Sequence, residues 1–146
     1  MVELENNIKT LKVCLVIPTY NHAAFLEEVV KECLKYPIDI IVVNDGSTDD
    51  TLLILDNYKS RITVVSYENN RGKGYALKQG AKKAREQGNN AIITMDSDGQ
   101  HFALDIKTLV NAALNNRDAI IVGSRGLQNK NMPKKNSFAN RFANFW

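Results

Sequence analysis

Only two cysteines, Cys14 and Cys33, occur in the 146 residues. They fall on an apolar strand pattern and on the apolar face of a helix, as buried free thiols do. No disulfide framework is available, and no His/Cys cluster suggests zinc. The opening "MVELENNIKT" mixes acids and amides and has no apolar core, so it is not a signal peptide. No window approaches the length of a membrane-spanning helix. A cytosolic location is therefore expected. Acids are lacking beyond Asp118, whereas Arg125, Lys130, Lys134, Lys135 and Arg141 are all basic. With a net charge of +3, the rest of the chain is slightly acidic. A basic, aromatic end could face anionic lipid or nucleic acid, and a solvated charge run explains it as well; we expect no nucleic-acid partner. Internal repeats and low-complexity linkers are absent too, so residues 1–146 are read as one domain.

What is present is a soluble globular composition, 44% hydrophobic and 24% charged, with a regular alternation of apolar runs and helical patterns. Val13 to Ile17 reads as a first strand, stopped by Pro18. A helix follows, capped by Asn21, with Phe25, Leu26, Val29, Val30, Cys33 and Leu34 on its buried face. Ile38 to Val43 is a second strand, Leu52 to Tyr58 a short helix, and Ile62 to Val65 a third strand. Tyr75 to Gln87 reads as a helix closed by Gly88, with a small inner face of Ala76, Leu77, Gly80, Ala81 and Ala84. Ala91 to Met95 is the next strand, Ala103 to Leu114 a helix, and Ala119 to Val122 a last strand. Strands alternating with helices of this length imply βαβ crossovers and an α/β fold with a mainly parallel sheet flanked by helices.

Four polar clusters then collect at one edge, because the carboxyl ends of parallel strands point one way. They are "PTYN", "NDGSTDD", "ENNRGKG" and "DSDGQH". Any one of them could be just a turn; four in register are harder to dismiss. Asp96 and Asp98, at i and i+2, offer hard oxygen ligands to Mg²⁺ or Mn²⁺. Gly72 and Gly74 bracket Lys73 before a helix, where backbone N–H groups, the positive helix end and an ammonium could meet phosphates. Neither G-x-x-x-x-G-K-[ST] nor a complete G-x-G-x-x-G occurs, so P-loop and dinucleotide readings lose support.

"VIPTYN", "VVNDGSTDDT", "NRGKGYALKQGAKKA" and "ITMDSDGQH", in this order and spacing, resemble the nucleotide-sugar-binding half of family 2 glycosyltransferases with the GT-A fold. The branch they resemble is that of dolichyl- and polyprenyl-phosphate sugar transferases. The resemblance spans roughly Leu11 to Arg125. It implies an inverting transfer of sugar from a UDP- or GDP-linked donor to an acceptor, with a lipid or polyprenyl phosphate favoured by the branch. By the same resemblance, Pro18, Thr19, Tyr20 and Asn21 border the nucleotide, Thr19 and Tyr20 lying against base and ribose. Asp45 accepts hydrogen bonds from the base, Lys73 and Ser97 also border the nucleotide, and Asp96 holds ribose or metal. Asp98 completes the D-x-D motif as ligand of the Mg²⁺ or Mn²⁺ that bridges the diphosphate.

The resemblance places any catalytic base in a later, acceptor-side half that this sequence does not include. In "SFANRFANFW", Phe138, Phe142 and Phe145 share a helical face and Trp146 ends the sequence. Residues 126–146 are thus read as the basic, aromatic start of an acceptor-side segment cut short, and the sequence as a fragment. Such a face invites self-association, and with a lipid acceptor it implies peripheral contact with the inner face of a membrane. Arg125 could reach a phosphate or make a surface ion pair. His101 is read as starting a helix, His22 as a surface residue, and Asp49 and Asp50 as supporting a helix N-terminus. Two other functions stay open: a module that binds nucleotide sugar without transferring it, and a sugar nucleotidyltransferase. The latter lacks its expected glycine-rich loop after the first strand, where Pro18 and Thr19 stand.

Overall fold

Two strands are buried at every position, the mark of a parallel sheet covered on both faces. The structure is a computed structural model that describes residues 2–123. Within it the order is α1 (Val2–Leu11), β1 (Val13–Thr19), α2 (Ala23–Cys33), β2 (Ile40–Asp45), α3 (Thr51–Asp56), β3 (Thr63–Tyr67), α4 (Lys73–Glu86), β4 (Ala91–Thr94) and α5 (Asp105–Asn115). All pairings are parallel, in the spatial order β3-β2-β1-β4. Leu15 lies opposite Ile40 on one side and Ile93 on the other.

Alternate strand residues sort to opposite faces. Leu15, Ile17, Ile40, Val42 and Ile93 form one core with Ile8 of α1, Leu26 and Val30 of α2, Leu55 of α3 and Ile106 of α5. Cys14, Val16, Ile41 and Val43 form the other, against Ala76 and Ala84 of α4. Helix α4 approaches closely because its inner face is small: a Cβ added to Gly80 would fall 2.3 Å from Val16 Cγ1 and 3.1 Å from Val43 Cγ2.

Travel from β1 through β2 to β3 uses one face, and the return from β3 to β4 uses the other. Right-handed crossovers require that change of face when the direction reverses. The reversal falls between β1 and β4, and sheets of this kind bind ligands in the crevice outside the carboxyl ends of the two strands at such a point.

Several expectations need correction. Pro18 does not stop β1; it lies within the strand, opposite Val43. Met95 donates to the Val16 carbonyl, so Val16, and Pro18 two residues on, face β4, whose pairing ends at Val16–Thr94. A proline there leaves no ladder acceptor empty. Asn21 is not the cap of α2: His22 holds that position. Asn21 instead takes a left-handed φ of 53°, which asparagine tolerates. Phe25 is exposed rather than buried. Its ring lies under Gly99 in a groove of about 450 Å³ between α2 and the loop after β4, floored by Val29, Cys33 and Met95.

Helix α1 was hidden by its polar composition, yet Leu4, Ile8 and Leu11 make a buried stripe. Ala119–Val122 forms no strand; Ile120 and Val122 stand exposed with no neighbouring strand among the described residues. An apolar run becomes a strand only where a ladder and a covering layer are available. His101 precedes α5 by several residues and does not start it. Arg125 and residues 126–146, with Phe138, Phe142, Phe145 and Trp146, lie outside the described residues.

Candidate functional site

Each parallel strand delivers its polar exit to the same edge, and α4, running back against them, brings its N-terminus to that edge as well. On β1 this places Thr19, whose hydroxyl is buried, with the residue only 2% exposed, and has no hydrogen-bond partner among the described residues. Leaving a hydroxyl unsatisfied in that way costs about 1–3 kcal/mol. Tyr20 follows it, exposed on the rim.

Asp45 ends β2 and is 3% exposed. Its Oδ1 accepts the Arg71 backbone N–H and its Oδ2 the Gly72 N–H, both at 2.8 Å. The carboxylate thereby fixes the loop that leads into α4. Any contact with a nucleotide base must use its remaining lone pairs. Gly46, at φ 71°, lets the same loop pass close: a Cβ there would lie 2.5 Å from Asn70 N. Tyr67, opposite Asp45 in the sheet, has its phenol pushed well above the usual range, chiefly by burial and then by that carboxylate. Tyr75 packs edge-on against Tyr67 with centroids 5.4 Å apart, and the Arg71 guanidinium stacks 3.9 Å over Tyr75.

Lys73 is the first residue of α4, where the positive end of the helix dipole disfavours a cation. Its ammonium reaches Asp96, 2.6 Å from Oδ1 and 2.8 Å from Oδ2. The two D-x-D carboxylates are therefore unequal. Asp96 is ion-paired, whereas Asp98 uses Oδ1 to accept the Gln100 N–H at 2.9 Å. The loop that carries them is anchored twice. Ser97 is buried, with its Oγ 2.8 Å from His22 Nδ1, and His101 Nδ1 accepts the Asp96 N–H at 3.1 Å. That last bond places the ring proton on Nε2.

The exits of β1 and β2 are tied together in the same way. Ser47 Oγ accepts the Asn21 N–H, Asn21 Oδ1 accepts the Thr48 N–H at 2.8 Å, and Asp49 Oδ2 accepts the Ala23 N–H at 3.0 Å. Asp49 thus serves the start of α2, with Oδ1 turned to the Thr51 N–H of α3. Thr19, Asp45, Lys73, Asp96, Ser97 and Asp98 all lie on the strand exits and helix start of this edge. Asn21 joins the loops by its side chain. The roles of His22 and His101 escaped the sequence reading, because a histidine in a loop carries no periodic signal.

A divalent ion suits this set of donors. Asp96 and Asp98 supply hard oxygens, and among the described residues no group of three His, Cys, Asp or Glu side chains gathers to cage an ion. Mg²⁺ and Mn²⁺ are the ions that hard carboxylate oxygens of this kind could hold.

The family model for glycosyl transferase family 2 matches residues 14–142. A UDP-N-acetylglucosamine–dolichyl-phosphate N-acetylglucosaminyltransferase of Methanococcus voltae is 33% identical over 139 residues, covering 82% of this chain and 55% of that protein. A dolichyl-phosphate beta-glucosyltransferase of Dictyostelium discoideum is 28% identical over 158 residues, covering 94% and 47%. The chain spans about half the length of the curated relatives it matches. The crystal structure of S. aureus TarS 1-349 superposes with a TM-score of 0.62 at 23% identity, covering 83% of this chain and 38% of that one. This likeness establishes the GT-A fold. TarS has also been solved with UDP and with UDP-GlcNAc.

Proposed function

The chain belongs to glycosyl transferase family 2, and from that membership we propose that it forms the donor-binding half of an inverting, metal-dependent glycosyltransferase. The donor is a UDP- or GDP-linked sugar, and the acceptor a lipid phosphate. The observation that carries this reading is the buried Thr19 hydroxyl at the end of β1, which has no hydrogen-bond partner among the described residues, beside the strand whose exit bears Asp96 and Asp98. The Methanococcus voltae relative, named for UDP-N-acetylglucosamine, supports a uridine donor. Two dolichyl-phosphate sugar transferases among the relatives support the acceptor. No helix among the described residues is long and apolar enough to cross a membrane.

In this reading Thr19 gives its hydroxyl to the ribose or base, with Pro18, Tyr20 and Asn21 forming the wall of the crevice. Asp45 holds the Arg71–Gly72 backbone in place beneath the nucleotide. Lys73 directs its ammonium at the phosphates, and Ser97, held by His22, fixes the D-x-D loop. Asp98, with Asp96, holds the ion. Mg²⁺ or Mn²⁺ held by these two carboxylates would supply positive charge to offset that of the diphosphate leaving group. A phosphate oxygen of the acceptor attacks the anomeric carbon from the opposite face and leaves nucleoside diphosphate as product. An ionised phosphate oxygen needs no general base for that attack.

Calorimetric titration with UDP, GDP and CDP, each with and without Mn²⁺, tests the donor site. Metal-dependent binding of UDP or GDP is expected, and it disappears in Asp98→Ala. An Asp98→Ala chain that binds nucleotide with unchanged, metal-dependent affinity refutes the assignment.

A further inference from the structure

Asp96, expected as a metal or ribose ligand, already has a cation. Lys73 Nζ sits 2.6 Å from one carboxylate oxygen and 2.8 Å from the other, so it occupies both of the oxygens that Asp96 could offer to a divalent ion. The pair is not deeply buried: the Lys73 side chain is 61% exposed and that of Asp96 33%. An exposed pair of this kind is worth no more than about 1 kcal/mol, so it can open and close readily. The Lys73 backbone cannot move as readily, because Asp45 clamps the two preceding residues through two hydrogen bonds. What is free to move is the four-carbon stem, which swings the ammonium about a fixed Cα.

We infer that Lys73 is a resident stand-in for the divalent cation: its ammonium neutralises Asp96 when no ion does, and binding of metal with nucleotide displaces it onto the diphosphate. This inference rests on the donor-site reading above. Two consequences follow from charge alone. Without nucleotide, metal must expel an ammonium from Asp96 and so binds weakly. With nucleotide bound, the ammonium has a better anion, Asp96 is released, and metal binds more tightly. Lys73 thereby couples the two ligands, and linkage requires the coupling to be equal in both directions. It also explains a cation placed at the unfavourable end of α4: the position is poor for helix stability and suited to a charge that changes partners.

The test uses the purified chain and Mn²⁺ alone, counting free ion by its paramagnetic resonance signal. Lys73→Met is expected to bind Mn²⁺ about 2–5-fold more tightly than the native chain, the factor that an exposed pair can supply. In the same variant, the enhancement of Mn²⁺ affinity by saturating UDP shrinks by at least that factor, while UDP itself binds more weakly. Lys73→Arg retains a cation and keeps the native Mn²⁺ affinity. Lys82→Met serves as the charge control. It lies nine residues along α4, about 14 Å away on a 1.5 Å rise, beyond the roughly 10 Å screening length at 0.1 M salt, and leaves Mn²⁺ binding unchanged. Equal or weaker Mn²⁺ binding by Lys73→Met, or none at millimolar ion, overturns the exchange. So does an equal gain in Lys82→Met, which marks a general charge effect. Failure of every nucleotide to bind the native chain with metal counts instead against the donor site itself. Thermal denaturation of each variant separates these outcomes from misfolding.

Discussion

His22 and Ser97 join the two strand exits that border the crevice: Nδ1 of the first lies 2.8 Å from Oγ of the second. One residue follows β1 and the other follows β4, so this contact sets the spacing across the crevice. Ser97→Ala is expected to leave the melting temperature within a few degrees of native and to weaken metal-dependent UDP binding about 2–10-fold, the worth of one net hydrogen bond of about 0.5–1.5 kcal/mol. Calorimetry on His22→Ala should return a similar loss. If both variants bind UDP as the native chain does, the contact has no part in shaping the site.

Gly46 tests the clamp on the other side. Its φ of 71° and the 2.5 Å approach of Asn70 N leave no room for a methyl group. Gly46→Ala therefore pushes away the loop that Asp45 holds, and nucleotide affinity should fall by an order of magnitude or more while the sheet persists. Circular dichroism and titration on the same sample distinguish a displaced loop from an unfolded chain.

At Gly80 the expected loss is of stability. Alanine would gain roughly 1 kcal/mol of helix propensity, but its Cβ would strike Val16 Cγ1 at 2.3 Å, and overpacking of this kind costs about 1–3 kcal/mol. The net effect is a destabilisation of up to about 2 kcal/mol, read by urea denaturation. A more stable Gly80→Ala variant would show that α4 can lift from the sheet without cost.

The thiols give a dependence on pH. Burial pushes Cys14 up to about 11 and Cys33 to about 12. The folded chain keeps both protonated above pH 9, where the unfolded chain ionises them, so their contribution to stability declines as pH rises past the ordinary thiol value of 9.0. Iodoacetamide at pH 8 should leave both unmodified until urea unfolds the protein. Rapid labelling of the native chain, followed by mass spectrometry, would contradict this burial.

The sequence announced the fold through its alternating apolar runs, since strands buried on both faces have few other spellings. The strand exits at one edge followed from the same alternation. Asp96 and Asp98 were legible because a strand ends just before them. Other features were not legible, for physical reasons. Whether Pro18 ends a strand depends on which neighbour its missing N–H would face, a matter of sheet order. Phe25 fits the helical stripe by spacing, yet the surface it meets is a groove. The engagement of Asp45 with Arg71 and Gly72, and of Lys73 with Asp96, joins residues more than 20 positions apart, which no local pattern encodes.

The spatial order β3-β2-β1-β4 also has a consequence in chain entropy. Neighbouring pairs β1–β2 and β2–β3 close loops of some 20–25 residues, whereas β1–β4 joins segments nearly 80 apart, an entropic cost that grows with separation. The seam between β1 and β4 thus carries the largest closure cost of the three pairings, and it is the seam at which the strand order reverses. The two carboxylates of this edge lie beyond β4, the last strand in chain order among the described residues. Pairing of β1 with β4 therefore completes the edge.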